Sequence, residues 1–426
     1  MTERAMTDES APDGQEGRGY RAAVLAVLVL VYTFNFIDRQ ALAILAPLIQ
    51  KELKLDDLEL GVMLGLPFAA LYSTLALPIA WLADRWSRSW IMTVALAVWS
   101  GCTAVCGLAA SYPQILLARM GVGVGEAGGV APAYSLIADY FPARSRARAL
   151  AIYAFAIPIG SALAVACGGL IAHSLGWRAA FLAIGLAGLP LAPLLKLVVR
   201  DPARAPPRPG VRAGLLPAMR ILFPKPSFWL LSLGAASSSI ASYGLIAWMP
   251  AFFMRSFHLS LLQVSGYYAG ILLAGGIAGV WLGGWLGDRL GRMSRAAYAL
   301  VPAGAFLAAA PAFIAGAQCG SPALAFVLFA TQTGLSLAWL GPVTAAIQGL
   351  TPAAMRSTGS SLFLLINNLL GLAVGPFFFG AVSQALRPRF GQEALHWAVL
   401  LGMGFYVLAA LLMTAAAGRM RRDWTD

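Results

Sequence analysis

Long apolar runs separated by short polar breaks recur along the whole chain, at the roughly 20-residue length a helix needs to cross a bilayer. Twelve spans are predicted, near residues 21–49, 59–83, 90–110, 113–139, 148–173 and 177–199, then near 228–253, 263–287, 295–316, 322–349, 358–385 and 393–417. The expected fold class is therefore all-α integral membrane, with 12 transmembrane helices in two pseudo-symmetric six-helix bundles, 20–199 and 227–418. Residues 1–19 are polar and acidic, with Pro and Gly, and are predicted to be a disordered cytoplasmic tail. Residues 200–226 form the only long linker. Its second half mixes Arg212, Arg220 and Lys225 with Leu215, Leu216, Met219, Ile221 and Leu222, a pattern that predicts a short helix lying on the membrane surface. Residues 419–426 are a second cytoplasmic tail. The first span follows a basic flank, Arg18–Arg21, but it is too long for a cleavable signal peptide and no small-residue cleavage site ends it.

Composition agrees with the pattern. Hydrophobic residues make up 59% of the chain, charged residues 11%, and mean hydropathy is +0.75. A soluble domain carries about 25% charge. The net charge of +12 is a matter of topology. Of 30 Lys and Arg residues, 21 fall on the side shared by both tails and the central linker. Six (Lys51, Lys54, Arg178, Arg255, Arg387 and Arg389) fall on the other side, and Arg39, Arg119 and Lys196 lie within spans. That bias predicts cytoplasmic termini, as for a bacterial inner-membrane protein. Basic residues scattered over short loops can meet anionic membrane lipids but do not form a nucleic-acid footprint. Cys102 and Cys106 share a helix face with no histidine nearby, and His173, His258 and His396 stand near span ends, so neither a metal set nor a cofactor is expected. No nucleophile constellation can be placed and no Walker-type loop occurs, so the chain is read as neither an enzyme nor nucleotide-driven.

The two halves repeat each other. AWLADRWSRS (80–89) follows span 2 and GWLGDRLGRM (284–293) follows span 8, aligning Asp84 with Asp288, Arg85 with Arg289 and Arg88 with Arg292. FPARSRA (141–147) and TPAAMRS (351–357) follow spans 4 and 10, aligning Arg146 with Arg356. Parallel six-helix repeats follow from that order. With these loop motifs the chain resembles the major facilitator superfamily. Its first motif copy departs at Ala80 and Ser87, where the pattern has glycine. NFIDRQALAILAP (35–47), GVGEAGGVAPAYSLIADYFPARSRARAL (123–150) and AFAIPIGSALA (154–164) resemble, more narrowly, the spinster family of lipid transporters. In the superfamily, the loop charges clasp the cytoplasmic side. That resemblance implies gating roles for Asp84, Arg85, Arg88, Asp139, Arg146, Asp288, Arg289, Arg292 and Arg356, with Arg85 and Arg88 reaching Asp139. The Gly-Pro of the superfamily's antiporter signature is replaced by Ala164–Val165, which weakens a drug/proton antiporter reading.

Four charges stand deep in the first half: Asp38 and Arg39 on span 1, Arg119 and Glu126 on span 4. Unpaired, they would cost about 10–14 kcal/mol in a bilayer, from roughly 2.5–3.5 each. Arg119 and Glu126 lie on nearly one helix face but about 10 Å apart along the axis, so each needs a partner from another helix. The expected pairs are Arg39 with Glu126 and Asp38 with Arg119, with Asn35 beside both. A static lock between two helices is one reading. The other is a proton-coupling site: burial opposes the charged form of a carboxylate and a neighbouring arginine favours it, so exchange of partners switches proton affinity. The spinster resemblance implies the same roles. The G-x-G-x-x-G within RMGVGVGEAGG (119–129) has no strand before it and reads as small residues that let a neighbouring helix approach.

Tyr243, Tyr267, Thr331, Gln332, Ser336, Asn367 and Asn368 supply uncharged polar positions in the second half. Helix–helix hydrogen bonding is the plainer reading of each. The cavity candidates are Asn35, Arg39, Arg119, Tyr243, Gln332, Asn367 and Asn368. The expectation is a monomeric, proton-coupled transporter working by alternating access, whose substrate the resemblance implies to be an amphipathic anionic lipid. Symport of small organic anions and drug/proton antiport are the alternatives.

Overall fold

The computed structural model describes residues 17–83, 85–202, 215–291, 293–352 and 355–424. Residues 1–16 of the expected tail, the first half of the linker, Asp84 and Arg292 lie outside the described residues, as do the side chains of Arg146 and Asp288.

Regular structure among the described residues is helical. The first half comprises α1 (Arg18–Leu53), α2 (Asp57–Leu64), α3 (Leu66–Ala83), α4 (Arg88–Cys106), α5 (Tyr112–Glu126), α6 (Val130–Tyr140), α7 (Ala143–Ala154), α8 (Ala156–Gly188) and α9 (Leu191–Val198). A short helix, α10 (Leu215–Leu222), follows in the linker. The second half comprises α11 (Pro226–Ser256), α12 (Leu261–Gly291), α13 (Ala297–Gln318), α14 (Pro322–Leu337), α15 (Leu340–Gly349), α16 (Arg356–Phe390), α17 (Ala394–Gly402) and α18 (Gly404–Asp423). Helices are what lipid permits, because each backbone amide must find its partner within its own segment.

Nine helical runs among the described residues are long and apolar enough to cross a membrane. Two of these, of 51 and 63 residues, each suffice for two crossings. The first turns at Gly176, where φ is +84°, and the second at Gly391, where φ is +55°. The segment expected as one span at 113–139 is split into helices of 15 and 11 residues. The arrangement is consistent with the twelve predicted spans.

Packing repeats as the sequence does: α1 lies mainly on α8 in the first half, α11 on α16 in the second. The halves meet where α8 packs on α12, α2 and α3 on α16, and α1 on α11. Close approach needs small residues. A side chain at Gly61 would lie 2.9 Å from the Pro376 carbonyl and 3.2 Å from the Cα of Gly380.

The start of α1 and the end of α18 lie on one face. Near the start of α1, the Tyr20 hydroxyl donates to the Val198 carbonyl at 2.9 Å. At the other end, Asp423 accepts from the Ser227 amide at 3.0 Å. This terminal face also carries the repeated loops. The opposite face carries the turns after α1 and α11.

Candidate functional site

The middle of α1 and the end of α5 bring the predicted charges together. Asn35, Asp38, Arg119 and Glu126 are all buried, with Glu126 at 0% exposure. Arg39 Nε donates to Glu126 Oε2 at 2.5 Å, the first of the two expected pairs. The second does not form: Asp38 and Arg119 make no ion pair, and Asp38 Oδ1, Arg119 Nε and Arg119 Nη1 have no hydrogen-bond partner. Arg119 instead lies 5.2 Å from the Phe68 ring, which Arg39 approaches from 5.3 Å. Arg39 is held further by Tyr72 at 4.5 Å and Phe36 at 5.4 Å. A ring face attracts a cation, so one phenyl group from α3 is within reach of both arginines. Both amide atoms of Asn35, Glu126 Oε1 and Arg39 Nη2 are likewise buried without a partner.

Local structure explains where Glu126 stands. It is the last residue of α5; Ala127–Gly129 form a turn before α6. The carbonyl end of a helix disfavours an anion, so the carboxylate depends on Arg39 for compensation. Gly121 and Gly125 pack on α4. A side chain at Gly125 would lie 2.6 Å from the Trp99 amide nitrogen on α4, and one at Gly121 would meet Cys102 Sγ at 2.5 Å. Towards the terminal face, Tyr32 stacks on Tyr153 at 4.3 Å and Tyr134 meets Tyr153 edge-on at 5.6 Å.

The polar positions of the second half divide. Tyr243 on α11 packs against the first-half cluster that contains Phe68 and Tyr72. Gln332 donates to the Tyr406 hydroxyl at 2.9 Å, and Asn367 accepts from Ser239 at 2.9 Å. Their bonding capacity is thus directed to neighbouring helices, with Asn368 half-buried beside Asn367. Tyr267 donates to the Pro322 carbonyl, while Thr331 and Ser336 donate to carbonyls of their own helix.

On the terminal face, Arg88 pairs with Asp139. Arg85 does not; it folds back to donate to the Trp81 carbonyl, its guanidinium 3.8 Å from that ring. Arg289 lies over Trp285 at 5.3 Å, and Arg356 is exposed at the start of α16. An unpredicted acid, Asp201, caps α4: it accepts from the Ser89 amide at 3.1 Å, from Ser89 Oγ at 2.8 Å and from Ser87 Oγ. Ser87, one of the departures from the loop pattern, is itself the N-cap and accepts from the Trp90 amide at 3.2 Å.

The second unpredicted cluster ties the halves together on the opposite face. Arg255, in the last turn of α11, donates to both oxygens of Asp57 at 2.8 and 2.9 Å and to Gln50 Oε1 at 2.7 Å. Asp57 also accepts from Gln50 Nε2 at 2.7 Å and from Ser383 Oγ on α16 at 2.6 Å. A capping box between Asp56 and Glu59 fixes the start of α2 and so the place of Asp57. The one sequence signal was a basic residue ending a span on the charge-poor side.

Comparison with known proteins agrees with this architecture. The family model of the Major Facilitator Superfamily matches residues 28–376. An MFS-type efflux pump of Mycolicibacterium smegmatis is 34% identical over 94% of both chains. Human protein spinster homolog 1 is 32% identical over 90% of this chain and 78% of its own. The crystal structure of a bacterial homolog to the human lysosomal transporter spinster, inward-facing and unoccupied, superposes with a TM-score of 0.88. It is 31% identical and is covered in full by 96% of this chain. A multi-pass helical chain with buried intramembrane charges and these relatives belongs to the Major Facilitator Superfamily of transporters, in which it resembles the spinster proteins.

Proposed function

We propose that this chain is a proton-coupled secondary active transporter that moves an amphipathic anionic lipid, of lysophospholipid or sphingoid-phosphate type, by alternating access. The observation that carries the reading is the buried constellation of Asp38, Arg39, Arg119 and Glu126, in which one carboxylate is paired and the other is not. Two acids in unequal environments, beside two arginines, suit a site that passes protons by exchanging partners. Arg119 keeps nitrogens free to meet an anionic head group, while Phe68, Tyr72 and Tyr243 supply an apolar wall. The Asp57–Arg255 cluster supports a state closed on the opposite face, like the inward-facing relative. In this reading the terminal face is cytoplasmic, the membrane a bacterial inner membrane and the working unit a monomer.

The family resemblance read from the sequence favours lipid; the name of the efflux-pump relative favours a second reading, drug/proton antiport. Purified protein in liposomes, energised by a pH gradient and offered lysolipids, small organic acids and cationic drugs, separates these readings. Gradient-dependent lysolipid flux is the expected result. Flux of organic acids or drugs alone overturns the substrate assignment, and flux indifferent to the gradient overturns the coupling.

A further inference from the structure

Far from the buried charges, α12, α13 and α14 enclose an apolar trough of about 880 Å³. That is within the range of about 300–1,000 Å³ typical of small-molecule sites. Along it α12 and α14 approach closely, because Gly275, Gly279 and Gly283 lie directly on the backbone at Ala330, Gly334 and Ala338, the last being the C-cap of α14. Its rims are Leu282, Leu300 and Val327, exposed on the outer surface of a membrane-spanning bundle. Hydrocarbon, not water, is therefore the medium it meets. From Ala274 to Leu290 the trough runs about 24 Å along α12, at 1.5 Å per residue. This is more than the depth of one leaflet of a core about 30 Å thick.

The mouth is cationic. The trough ends on the terminal face at Met293 and Ser294, which exposed Arg289 and Arg295 flank in the sequence. Arg289 makes no ion pair among the described residues; it lies over Trp285, which stacks on Trp281, both indoles being exposed. Arg295 lies 5.2 Å from the Trp424 ring. Exposed Trp and Arg together mark the level of lipid head groups.

We infer that this trough binds an anionic phospholipid of the terminal-face leaflet, separate from whatever the central site transports. An acyl chain fills the apolar groove, and the phosphate meets Arg289, Arg295 and the Ser294 hydroxyl. Charge complementarity selects this occupant over a second copy of the chain. A two-fold contact in the membrane would set the same two arginines against themselves.

The test is native mass spectrometry of the full chain in detergent, titrated with phosphatidylglycerol or phosphatidylcholine of identical chains. One phosphatidylglycerol per chain should be retained, in preference to phosphatidylcholine by about thirtyfold, the scale set by two arginines at an anionic surface. R289Q/R295Q should lose the preference. Gly304→Leu should lose both lipids, since a side chain there meets nothing within 4 Å and would project into the trough. Leu300→Trp is a second plug, placed at an exposed rim where folding is not at stake. Equal retention of the two lipids by the wild type, or unchanged retention by both plugged variants, overturns the proposal. So does stoichiometric displacement by a lysolipid that the protein transports, or a dimer that Leu300→Trp dissociates.

Discussion

Arg39 and Glu126 are 87 positions apart in sequence, yet Arg39 Nε lies 2.5 Å from Glu126 Oε2, at the residue where α5 ends. The carboxylate is fully buried, whereas the arginine side chain keeps 13% of its surface. Removing one partner of a buried pair costs about 3–5 kcal/mol, because a charge is left uncompensated. Glu126→Gln should fall at the low end of that range, since the Arg39 face remains against Tyr72 and Phe68. In liposomes, it should abolish pH-gradient-driven flux while gradient-free exchange persists. Wild-type gradient response in this variant would remove Glu126 from the coupling site.

Asp38 should behave differently. Its Oδ1 is buried without a hydrogen-bond partner and Arg119 does not pair with it. An uncompensated buried carboxylate is costly, and the amide of similar shape is less so. Asp38→Asn should therefore unfold at or above the wild-type temperature, in contrast to Glu126→Gln, and still lose proton coupling. Thermal unfolding of both variants in one detergent checks the contrast; a marked loss of stability in Asp38→Asn would mean that its charge is compensated in the fold.

The Asp57–Arg255 contact predicts strong non-additivity. Asp57 is 2% exposed and accepts from Arg255, Gln50 and Ser383 together. Asp57→Asn and Arg255→Gln should each cost about 3 kcal/mol, and the double variant far less than their sum. Single variants should also raise thiol labelling of cysteines introduced beside the cluster. Additive losses with unchanged labelling would make the contact incidental.

Two glycines should part company. A side chain at Gly125 would strike the α4 backbone at Trp99, whereas one at Gly284 meets nothing within 4 Å. Gly125→Val should cost 1–3 kcal/mol or more, by overpacking. Gly284→Ala should be neutral, as the natural Ala80 in the first copy suggests. Expression and unfolding temperature of the two variants decide it.

Asp201 provides a pH-dependent contact outside the membrane. Burial raises its carboxyl, but hydrogen bonds from Ser87 and Ser89 outweigh burial and hold it below the usual range. A depressed folded value makes the contribution complete above about pH 4, the ordinary aspartate value, and lost as pH falls through the folded one. Asp201→Asn should cost about 1 kcal/mol, typical of a helix cap. The gap in unfolding temperature should stay constant from neutral pH down to about 5 and shrink below about 4. A gap that persists in acid would show that the carboxylate charge plays no part.

Apolar length, charge bias and the paired loop motifs determined, from sequence alone, a helical membrane protein in two related halves. Such features act locally or by summation: a bilayer demands long apolar helices whatever their neighbours. The pair Arg39–Glu126 was also legible, because two charges at one depth in lipid must find each other. What only the tertiary structure decided depended on side-chain direction and on residues far apart in the chain. Phe68, an ordinary apolar residue of α3, turned out to meet both Arg39 and Arg119, and Asp38 is left without an ion pair. Arg255 and Asp57 were unremarkable loop charges until α11 and α2 were packed together. The glycine-rich stretch 119–129 shows both kinds of knowledge. Its composition foretold close packing, but only the fold placed the break after Glu126.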